Sequence, residues 1–444
     1  MKITHYCNSF ISVNSGSSTI VCDPWLGKAD NNAWLSFPLH EKGSTLLNDI
    51  NPDFIYISHL HNDHFDPKLL KKFKNKKKVK IIIKKFNNER LKSKIKELNF
   101  SKILEVEAWK KFTLNKELKI TIIPQQTNNK DEIDTKIDYD LDTSILIQSN
   151  KTKKIFYNNV DNPLSTNDIK NLTKFVKKKY KRNIDVTCFP VGAASEYPHC
   201  FINVNKRIEK KRVIDQSVKV TKEKLNIIKP KIFFPAGGNY MIYGKFTYLN
   251  SYIAQPDNYK KIFINFKKLN IKGFNIEGGN SIFFKKNDWS STIKQNLEKK
   301  KLLKKIEKKY IKHKYEYEKI NNINFKKLDK LFQKSLIKYK EIMDRNFNGF
   351  NWTINFNLYK NLKVNKYGKI NLSCKKFKKF VVSNSKIKDN IQTLDCYLDA
   401  KLFYCLLSKK YIWNIALSGS LVMFKRKPNK FLPDIPFSLN FLTN

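Results

Sequence analysis

The chain has 444 residues, of which 41% are hydrophobic, and a formal net charge of +48. This length and composition fit a globular protein with two domains, each with its own core. No apolar run in the sequence approaches the ~20 residues that span a bilayer, and residues 1–7 lack the apolar core of a signal peptide. These features argue against a transmembrane segment or a secretory leader and predict a cytoplasmic protein.

The positive charge comes almost entirely from lysine, because only six of the 87 basic residues are arginine. Proteins that bind phosphates or bases favour the bidentate guanidinium group of arginine, so we attribute the lysine excess to compositional drift and expect no nucleic-acid partner. A polyanion-binding role is the alternative. The seven cysteines are scattered without a C-x-x-C pair and are expected to be reduced and structural.

The chain begins with a predicted β-hairpin. Two apolar stretches, residues 3–12 and 19–22, flank a polar turn at residues 14–18. The second strand ends at Asp23, which precedes a proline. This carboxylate is placed either to support the next loop from behind or simply to form a turn.

Three of the seven histidines lie within six residues of that next loop. A predicted strand at residues 53–57 precedes it, and a predicted helix begins after it at Pro67, with Asp66 as the N-cap. Imidazole nitrogens and carboxylate oxygens are the ligands that a borderline divalent cation prefers. Alternate histidines can face one ion and the adjacent aspartate–histidine pair a second. The candidate ligands are His59, His61, Asp63 and His64.

We call residues 57–66 the histidine loop. Beyond it, strands and helices alternate, which predicts an α/β fold. Strands are expected at 79–83, 103–106, 112–124, 143–148, 154–157, 186–191 and 231–234, and helices at 67–76, 87–98 and 205–228. Asp161 lies just past the strand at 154–157, where its carboxylate is placed either to bridge two ions or to form a turn before a proline.

An acidic loop at residues 131–142 holds five aspartates in an otherwise basic chain. Like charges this close repel one another, so a bound cation is one physical reason to keep them together. The alternative is a solvated loop that neighbouring lysines neutralise.

The character of the chain changes at Trp289, and we predict a domain boundary there, between residues 1–288 and 289–444. Helices followed by strands predict a smaller α+β domain, which either shapes the substrate pocket or forms a homo-oligomer. The expected helices are at 292–320, 325–343 and 400–407, and the expected strands at 352–359, 369–373, 380–383, 391–397 and 413–425.

Together these motifs resemble the metallo-β-lactamase superfamily, and within it the metal-binding part of CMP-N-acetylneuraminate hydroxylases and the lactonase-like branch. The motif from His59 to His64 is the signature of that family. The resemblance covers roughly residues 1–260 and implies a four-layer αββα sandwich with metals at one edge, followed here by the α+β domain. Further stretches that support it are Asp23-Pro24-Trp25, Asn159-Val160-Asp161, Gly192-Ala193-Ala194-Ser195 and Phe234-Pro235-Ala236-Gly237.

The resemblance also implies a set of metal ligands, with three departures. The position of a histidine that the family offers upstream of the Asp161 hairpin is matched here by Asp138, which becomes a further candidate. A last histidine near residues 237–238 is missing, and Tyr240 stands nearby. No Rieske module like that of the hydroxylases is found before this region. The implied ligands are His59, His61, Asp63, His64 and Asp161.

The sequence therefore predicts a metal-dependent hydrolase that acts on an ester, lactone or phosphodiester bond of a small anionic substrate, such as a sugar derivative. The expected cofactor is one or two divalent metal ions, zinc in the first place, with iron or manganese as alternatives. Asp63 would orient the nucleophile or carry its proton, and Tyr240 would donate a hydrogen bond to the developing oxyanion. The rival hypotheses are an iron oxygenase that acts on a nucleotide sugar, and a non-catalytic binding protein with the same fold.

Overall fold

The computed structural model describes residues 1–29, 33–125, 142–293, 299–347, 350–384, 392–430, 432 and 434–444. Of the predicted acidic loop, only its last residue, Asp142, lies within these ranges. No helix among the described residues is long and apolar enough to cross a membrane.

Most of the described strands lie in the first three hundred residues. In chain order they are β1 (Lys2–Cys7), β2 (Phe10–Ser15), β3 (Ser18–Cys22), β4 (Lys28–Ala29), β5 (Trp34–Ser36), β6 (Phe54–Tyr56), β7 (Lys80–Lys84), β8 (Ile103–Val106), β9 (Phe112–Thr113), β10 (Leu118–Pro124), β11 (Thr143–Ser149), β12 (Ile155–Asn158), β13 (Val186–Phe189), β14 (Ile232–Pro235), β15 (Tyr240–Ile242), β16 (Lys272–Gly273), β17 (Asn280–Lys285) and β18 (Asp288–Thr292). Later in the chain come β19 (Trp352–Tyr359), β20 (Lys376–Ser383), β21 (Gln392–Asp399) and β22 (Met423–Lys427).

The helices fill the connections between these strands. They are α1 (Leu46–Ile50), α2 (Pro67–Lys71), α3 (Arg90–Glu97), α4 (Thr166–Tyr180), α5 (Lys206–Ile228), α6 (Lys260–Lys267), α7 (Lys299–Tyr310), α8 (Phe325–Phe347), α9 (Ala400–Leu407), α10 (Trp413–Ser418) and α11 (Asp434–Ser438). Helix α4 was not predicted from the sequence, although Ser165 and Asp168 form a capping box at its start.

Two large sheets organise the first part of the chain. The first has eight strands in the order β18-β17-β1-β2-β3-β6-β7-β8, and the second has seven in the order β16-β14-β13-β12-β11-β10-β9. The predicted N-terminal hairpin is wrong in one respect, because the stretch at residues 3–12 contains a second turn. Asn8 adopts φ +43° there, a conformation that asparagine tolerates, and so β1 and β2 are separate strands.

The two sheets pack face to face between outer helices. Alternate residues of each strand point to opposite faces, so Ile20 lies between the sheets while Val21 faces the outer layer. One outer layer contains α1, α2 and α3 and covers the first sheet. The other contains α4, α5 and α6 and covers the second. The predicted four-layer αββα sandwich is therefore confirmed.

The last part of the chain adds a four-stranded sheet with the order β20-β19-β21-β22. Helices α8, α9 and α10 share one hydrophobic core with this sheet, and that core also includes Trp25, Trp34 and Tyr240 from the first part of the chain. The expectation of a smaller α+β region after the sandwich is confirmed. The predicted boundary between residues 288 and 289 stays a prediction, and β18 pairs with β17 across it in the first sheet.

Three predicted elements of this region are wrong. The strand expected over 369–373 does not form, because only Ile370 pairs there, in an isolated bridge with Val364. The helix expected over 292–320 is shorter among the described residues, where it consists of α7. Residue 292 belongs to β18, and a separate 3-10 turn at Glu316–Lys319 follows α7. The strand expected over 413–425 begins as helix α10, in which Trp413, Ala416 and Leu417 are buried at helical spacing. Strand β22 starts only at Met423.

Candidate metal centre

The histidine loop joins the carboxyl end of β6, an interior strand of the first sheet, to α2. Asp66 closes it as predicted, because its carboxylate accepts hydrogen bonds of 3.0 Å from two backbone N–H groups in the first turn of α2. His59 and His64 are 1% and 0% exposed. Both imidazoles are therefore held by the loop and shielded from bulk water.

The first donor cluster surrounds His59. Its Nε2 atom lies 2.8 Å from Nδ1 of His61 and 3.2 Å from Oδ1 of Asp142. Asp142 immediately precedes β11, so the second sheet delivers this carboxylate to the histidine loop of the first sheet. Two imidazole nitrogens and one carboxylate oxygen thus converge on one point.

The second donor cluster surrounds His64. Its Nε2 atom lies 3.0 Å from Oδ2 of Asp161 and 3.4 Å from Oδ2 of Asp63. Asp161 follows β12 in the second sheet, and the residue before it, Val160, adopts φ +53°. The ends of two neighbouring strands, β11 and β12, therefore each supply one carboxylate.

Asp23 supports His64 directly, and it supports His59 through the hydroxyl of Ser58, which lies 2.9 Å from Nδ1 of His59. Its side chain is fully buried and accepts hydrogen bonds from the backbone N–H of Ser58 at 2.8 Å and from the Ser58 hydroxyl at 2.7 Å. Nδ1 of His64 lies 3.0 Å from the same carboxylate. A carboxylate on Nδ1 fixes the ring orientation and leaves Nε2 for a ligand bond, so these contacts favour the supporting role of Asp23 over that of a simple turn residue.

Asn8 supports the second cluster, a role that was not predicted from the sequence. Its amide group donates to Oδ2 of Asp63 at 3.1 Å, and its backbone oxygen accepts from the N–H of Gly237 at 3.0 Å. The available signal was an asparagine in the middle of an apolar run, because asparagine tolerates the left-handed conformation that a turn needs.

The protonation of the centre follows from burial and from its charges. Burial lowers the pKa of His59 well below its ordinary value, and the neighbouring imidazoles lower it further. Burial also acts to lower the pKa of His64, but the carboxylates of Asp63 and Asp161 outweigh it and raise this pKa well above the ordinary value. For Asp63, burial acts to raise the pKa, yet His64 outweighs it and the pKa falls to about 2. Positive charge is thus favoured between these carboxylates.

This donor set fits a divalent transition metal. In each of two groups of side chains, the donor atoms lie within 4.8 Å of one another, as chelation by one ion requires. Each group offers two imidazoles and one carboxylate, which suits zinc, iron or manganese. The groups are His59, His64 and Asp161, and His59, His61 and Asp142.

A cavity of about 430 Å³ opens onto the donors. This volume lies in the range of small-molecule sites. Lys94 of α3 and Ala194, in the small-residue loop after β13, also line it. The donors in its wall are His61, Asp63, Asp142 and Asp161.

The remaining predicted site residues fall in different places. Asp138 lies outside the described residues, and Asp142 is the described carboxylate of that loop at the site. The signal for Asp142 was its position directly before a strand, comparable to Asp23 directly after β3 and Asp161 shortly after β12. Tyr240 is 2% exposed and stacks on Trp34 with ring centroids 3.7 Å apart. Trp34 lines the cavity and Tyr240 is not among the lining residues, so its catalytic role stays a prediction.

We expect Asp142→Asn to lower the metal affinity of the protein by about tenfold or more, because an amide is a poorer metal ligand than a carboxylate. Asp138→Asn tests the other candidate ligand of the same loop by the same measurement. Zinc titration of the two apoproteins measures both values. A loss confined to Asp138→Asn would move the ligand role from Asp142 to Asp138.

Gly237 lies next to the carboxylate of Asp161. It adopts φ +93°, and a Cβ atom there would lie 3.1 Å from Oδ1 of Asp161. We therefore expect Gly237→Ala to displace this carboxylate and to weaken zinc binding by about tenfold. Gly27→Ala is the control, because Gly27 has φ +113° and no heavy atom within 4 Å of the added carbon. Equal zinc affinities in the two variants would contradict the role of Gly237.

Comparison with known families gives a match over residues 18–209 to the family described as "Beta-lactamase superfamily domain". A protein of Mycolicibacterium smegmatis named for a Rieske 2Fe-2S iron–sulfur centre is 30% identical over 116 residues, which are 26% of this chain and 22% of that protein. Cytidine monophosphate-N-acetylneuraminic acid hydroxylase of Pongo pygmaeus is 39% identical over 74 residues, which are 16% of this chain and 12% of that enzyme. The chain thus spans less than a quarter of the length of either relative.

Several solved structures are similar to this chain at low sequence identity. Igni18, a metallo hydrolase of Ignicoccus hospitalis, covers 64% of this chain over 99% of its own length, with 16% identity and a TM-score of 0.43. An isothiocyanate hydrolase from Delia radicum gut bacteria covers 64% over 99% of its length, with 14% identity and a TM-score of 0.44. CmlA, a diiron β-hydroxylase of Streptomyces venezuelae, covers 62% over 52% of its length, with 13% identity and a TM-score of 0.41.

Proposed function

We propose, starting from the β-lactamase superfamily domain to which residues 18–209 belong, that this chain is a metal-dependent hydrolase. The observation that supports this most is the convergence of two imidazole–carboxylate clusters on the wall of one cavity of about 430 Å³. A site with fixed donors beside a small-molecule cavity suits hydrolysis of an ester, lactone or phosphodiester bond.

The six donor side chains would hold one or two divalent ions, with zinc as our first choice and iron or manganese as alternatives. When bound, such an ion supplies positive charge that acidifies a water molecule and polarises a substrate oxygen. The donors are His59, His61, Asp63, His64, Asp142 and Asp161.

The protein side chains prepare the site for this chemistry. Asp63 has a pKa of about 2, so it is ionised at neutral pH and can accept a hydrogen bond from the attacking water. Asn8 fixes the orientation of this carboxylate through its amide group, at 3.1 Å. Tyr240 stays our proposed oxyanion donor, and it would need to approach the substrate past Trp34.

A small anionic substrate is part of the same proposal. Lys94 is the lysine in the cavity wall, and its Nζ atom lies 2.8 Å from the carboxylate of Glu97. Both side chains are more than half exposed, at 54% and 59%, and such surface pairs contribute little stability. Lys94 can therefore exchange this partner for an anionic group of the substrate.

A panel of p-nitrophenyl acetate, a γ-lactone and bis(p-nitrophenyl) phosphate tests the proposal. We expect turnover of at least one compound, its loss in chelator, its return with added zinc or manganese, and no return in His61→Ala. Turnover that survives the chelator and the substitution would overturn the metal-dependent mechanism. A metal-loaded protein that is silent on the whole panel would favour a non-catalytic binding protein.

An iron-dependent oxygenase is the second candidate function. The cluster of His59, His61 and Asp142 has two imidazoles and one carboxylate, the ligand set of non-haem iron oxygenases. Oxygen consumption by the iron-loaded protein with a sialate nucleotide and an added electron donor would support it. The same assay without the nucleotide is the control for uncoupled oxidation.

A further inference from the structure

Helix α10 has one buried face and one face on the metal cavity. Trp413, Ala416 and Leu417 are buried in the hydrophobic core, at the spacing of one helix face. The residues of the helix and its N-cap that line the cavity are Ile412, Asn414, Ile415 and Ser418. The C-terminal region thus forms part of the wall around the candidate metal centre.

This wall is firmly anchored. Trp413 is fully buried, and its indole N–H donates to the backbone oxygen of Leu442 at 3.2 Å. Just after the helix, the hydroxyl of Ser420 lies 2.7 Å from Nε2 of the buried His199. His199 belongs to the loop after β13, which also supplies Ala194 to the cavity. Helix and sandwich are therefore tied together at the cavity, and the wall has a defined position.

The wall places apolar side chains next to the metal donors. Ile412 is 41% exposed, and Ile415 is half-buried on the same face. Trp34 and Leu60 line the same cavity. The side-chain amide nitrogen of Asn414 lies 3.5 Å from Nε2 of His61, so this face of α10 lies directly against the first donor cluster. When an apolar group of a ligand covers these isoleucines, apolar surface leaves water and the free energy of the complex falls.

We propose that α10 is the specificity wall of this site, and that Ile412 and Ile415 hold an apolar, ring-sized group of the substrate beside the metal donors. This inference rests on the proposed function and narrows it. Of the bonds considered above, an ester or lactone with an apolar acyl or alkyl group fits best, since one end of such a molecule is polar and the other apolar. Lys94, which also lines the cavity, then remains available to an anionic group of the substrate.

Two hydroxamates test this wall in the zinc-loaded protein by calorimetric titration. Acetohydroxamate presents the chelating group alone, and benzohydroxamate adds a phenyl ring. We expect the double variant Ile412→Ala, Ile415→Ala to lose at least about fivefold of its affinity for benzohydroxamate, as expected for lost apolar contact. Its affinity for acetohydroxamate should be unchanged. Ile337→Ala, at an exposed isoleucine of α8, is the matched control and should leave both affinities unchanged.

The possible outcomes separate this inference from the function on which it rests. Unchanged benzohydroxamate affinity in the double variant overturns the specificity wall while leaving the metal centre intact. Binding of neither compound to the native protein contradicts the metal centre, and the inference with it. If the double variant does not fold, Ile412→Ala alone provides the same comparison, because this side chain is already 41% exposed.

Discussion

The His59→Ala variant is expected to bind zinc at least about a hundredfold more weakly than the native protein, since a metal ligand should contribute more than the outer-shell groups that commonly contribute ten- to a hundredfold. His59 belongs to both groups of donors, so its loss removes a ligand from each. Zinc titration against a competing chelator measures the affinity. His40→Ala is the matched control, because His40 lies outside the site and contacts Tyr6.

The fold of the His59→Ala variant needs its own measurement, because the side chain it loses is buried. Near-ultraviolet circular dichroism and thermal unfolding in chelator should show a folded protein of reduced stability. A folded variant with native zinc affinity would show that His59 is not a ligand.

The Asp23→Ala variant is expected to lose both stability and metal affinity. The substitution removes a fully buried carboxylate, and with it the acceptor of the Ser58 backbone N–H and the partner of Nδ1 of His64, both of which are buried. We expect the free energy of unfolding in chelator to fall by about 3 to 5 kcal/mol, and the zinc affinity to fall by about 10- to 100-fold. Urea unfolding and zinc titration measure the two quantities.

Asp53→Ala is the control for Asp23→Ala. Asp53 is exposed, lies directly before β6 and accepts one hydrogen bond of 2.8 Å from the backbone N–H of Thr19 in β3. Asp23 and Ser58 follow the same two strands. Its loss should cost about 1 kcal/mol or less and leave zinc binding unchanged. Equal effects of the two substitutions would show that Asp23 is only a turn residue.

The sandwich could be predicted from sequence because its signals are local. Strands such as β11 and β12 are short apolar runs between turn residues, and α5 begins directly after Asn205, where the helix was predicted to start. The histidine loop was predictable for the same reason, since one segment carries most of its donors. Which aspartate of the acidic loop reaches that segment depends on how two sheets pack, and spacing along the chain does not contain this information.

The C-terminal region was harder to predict, because short apolar runs fit a helix or a strand equally well. The run at residues 413–425 contains both α10 and part of β22. Its partition depends on tertiary contacts, including the hydrogen bond from Trp413 to Leu442 and the backbone pairing of Phe424 with Cys200. The same contacts place α10 at the cavity, so its role was invisible in the sequence.

The central claim is that this chain binds a transition metal through the histidine loop, and elemental analysis tests it most directly. The native protein and the His61→Ala variant would be purified without chelator, then measured before and after dialysis against zinc, manganese and ferrous salts. We predict at least one tightly bound metal ion per native chain and a large loss in the variant. A native protein that holds no metal under any of these conditions, or a variant that retains all of it, would contradict the account.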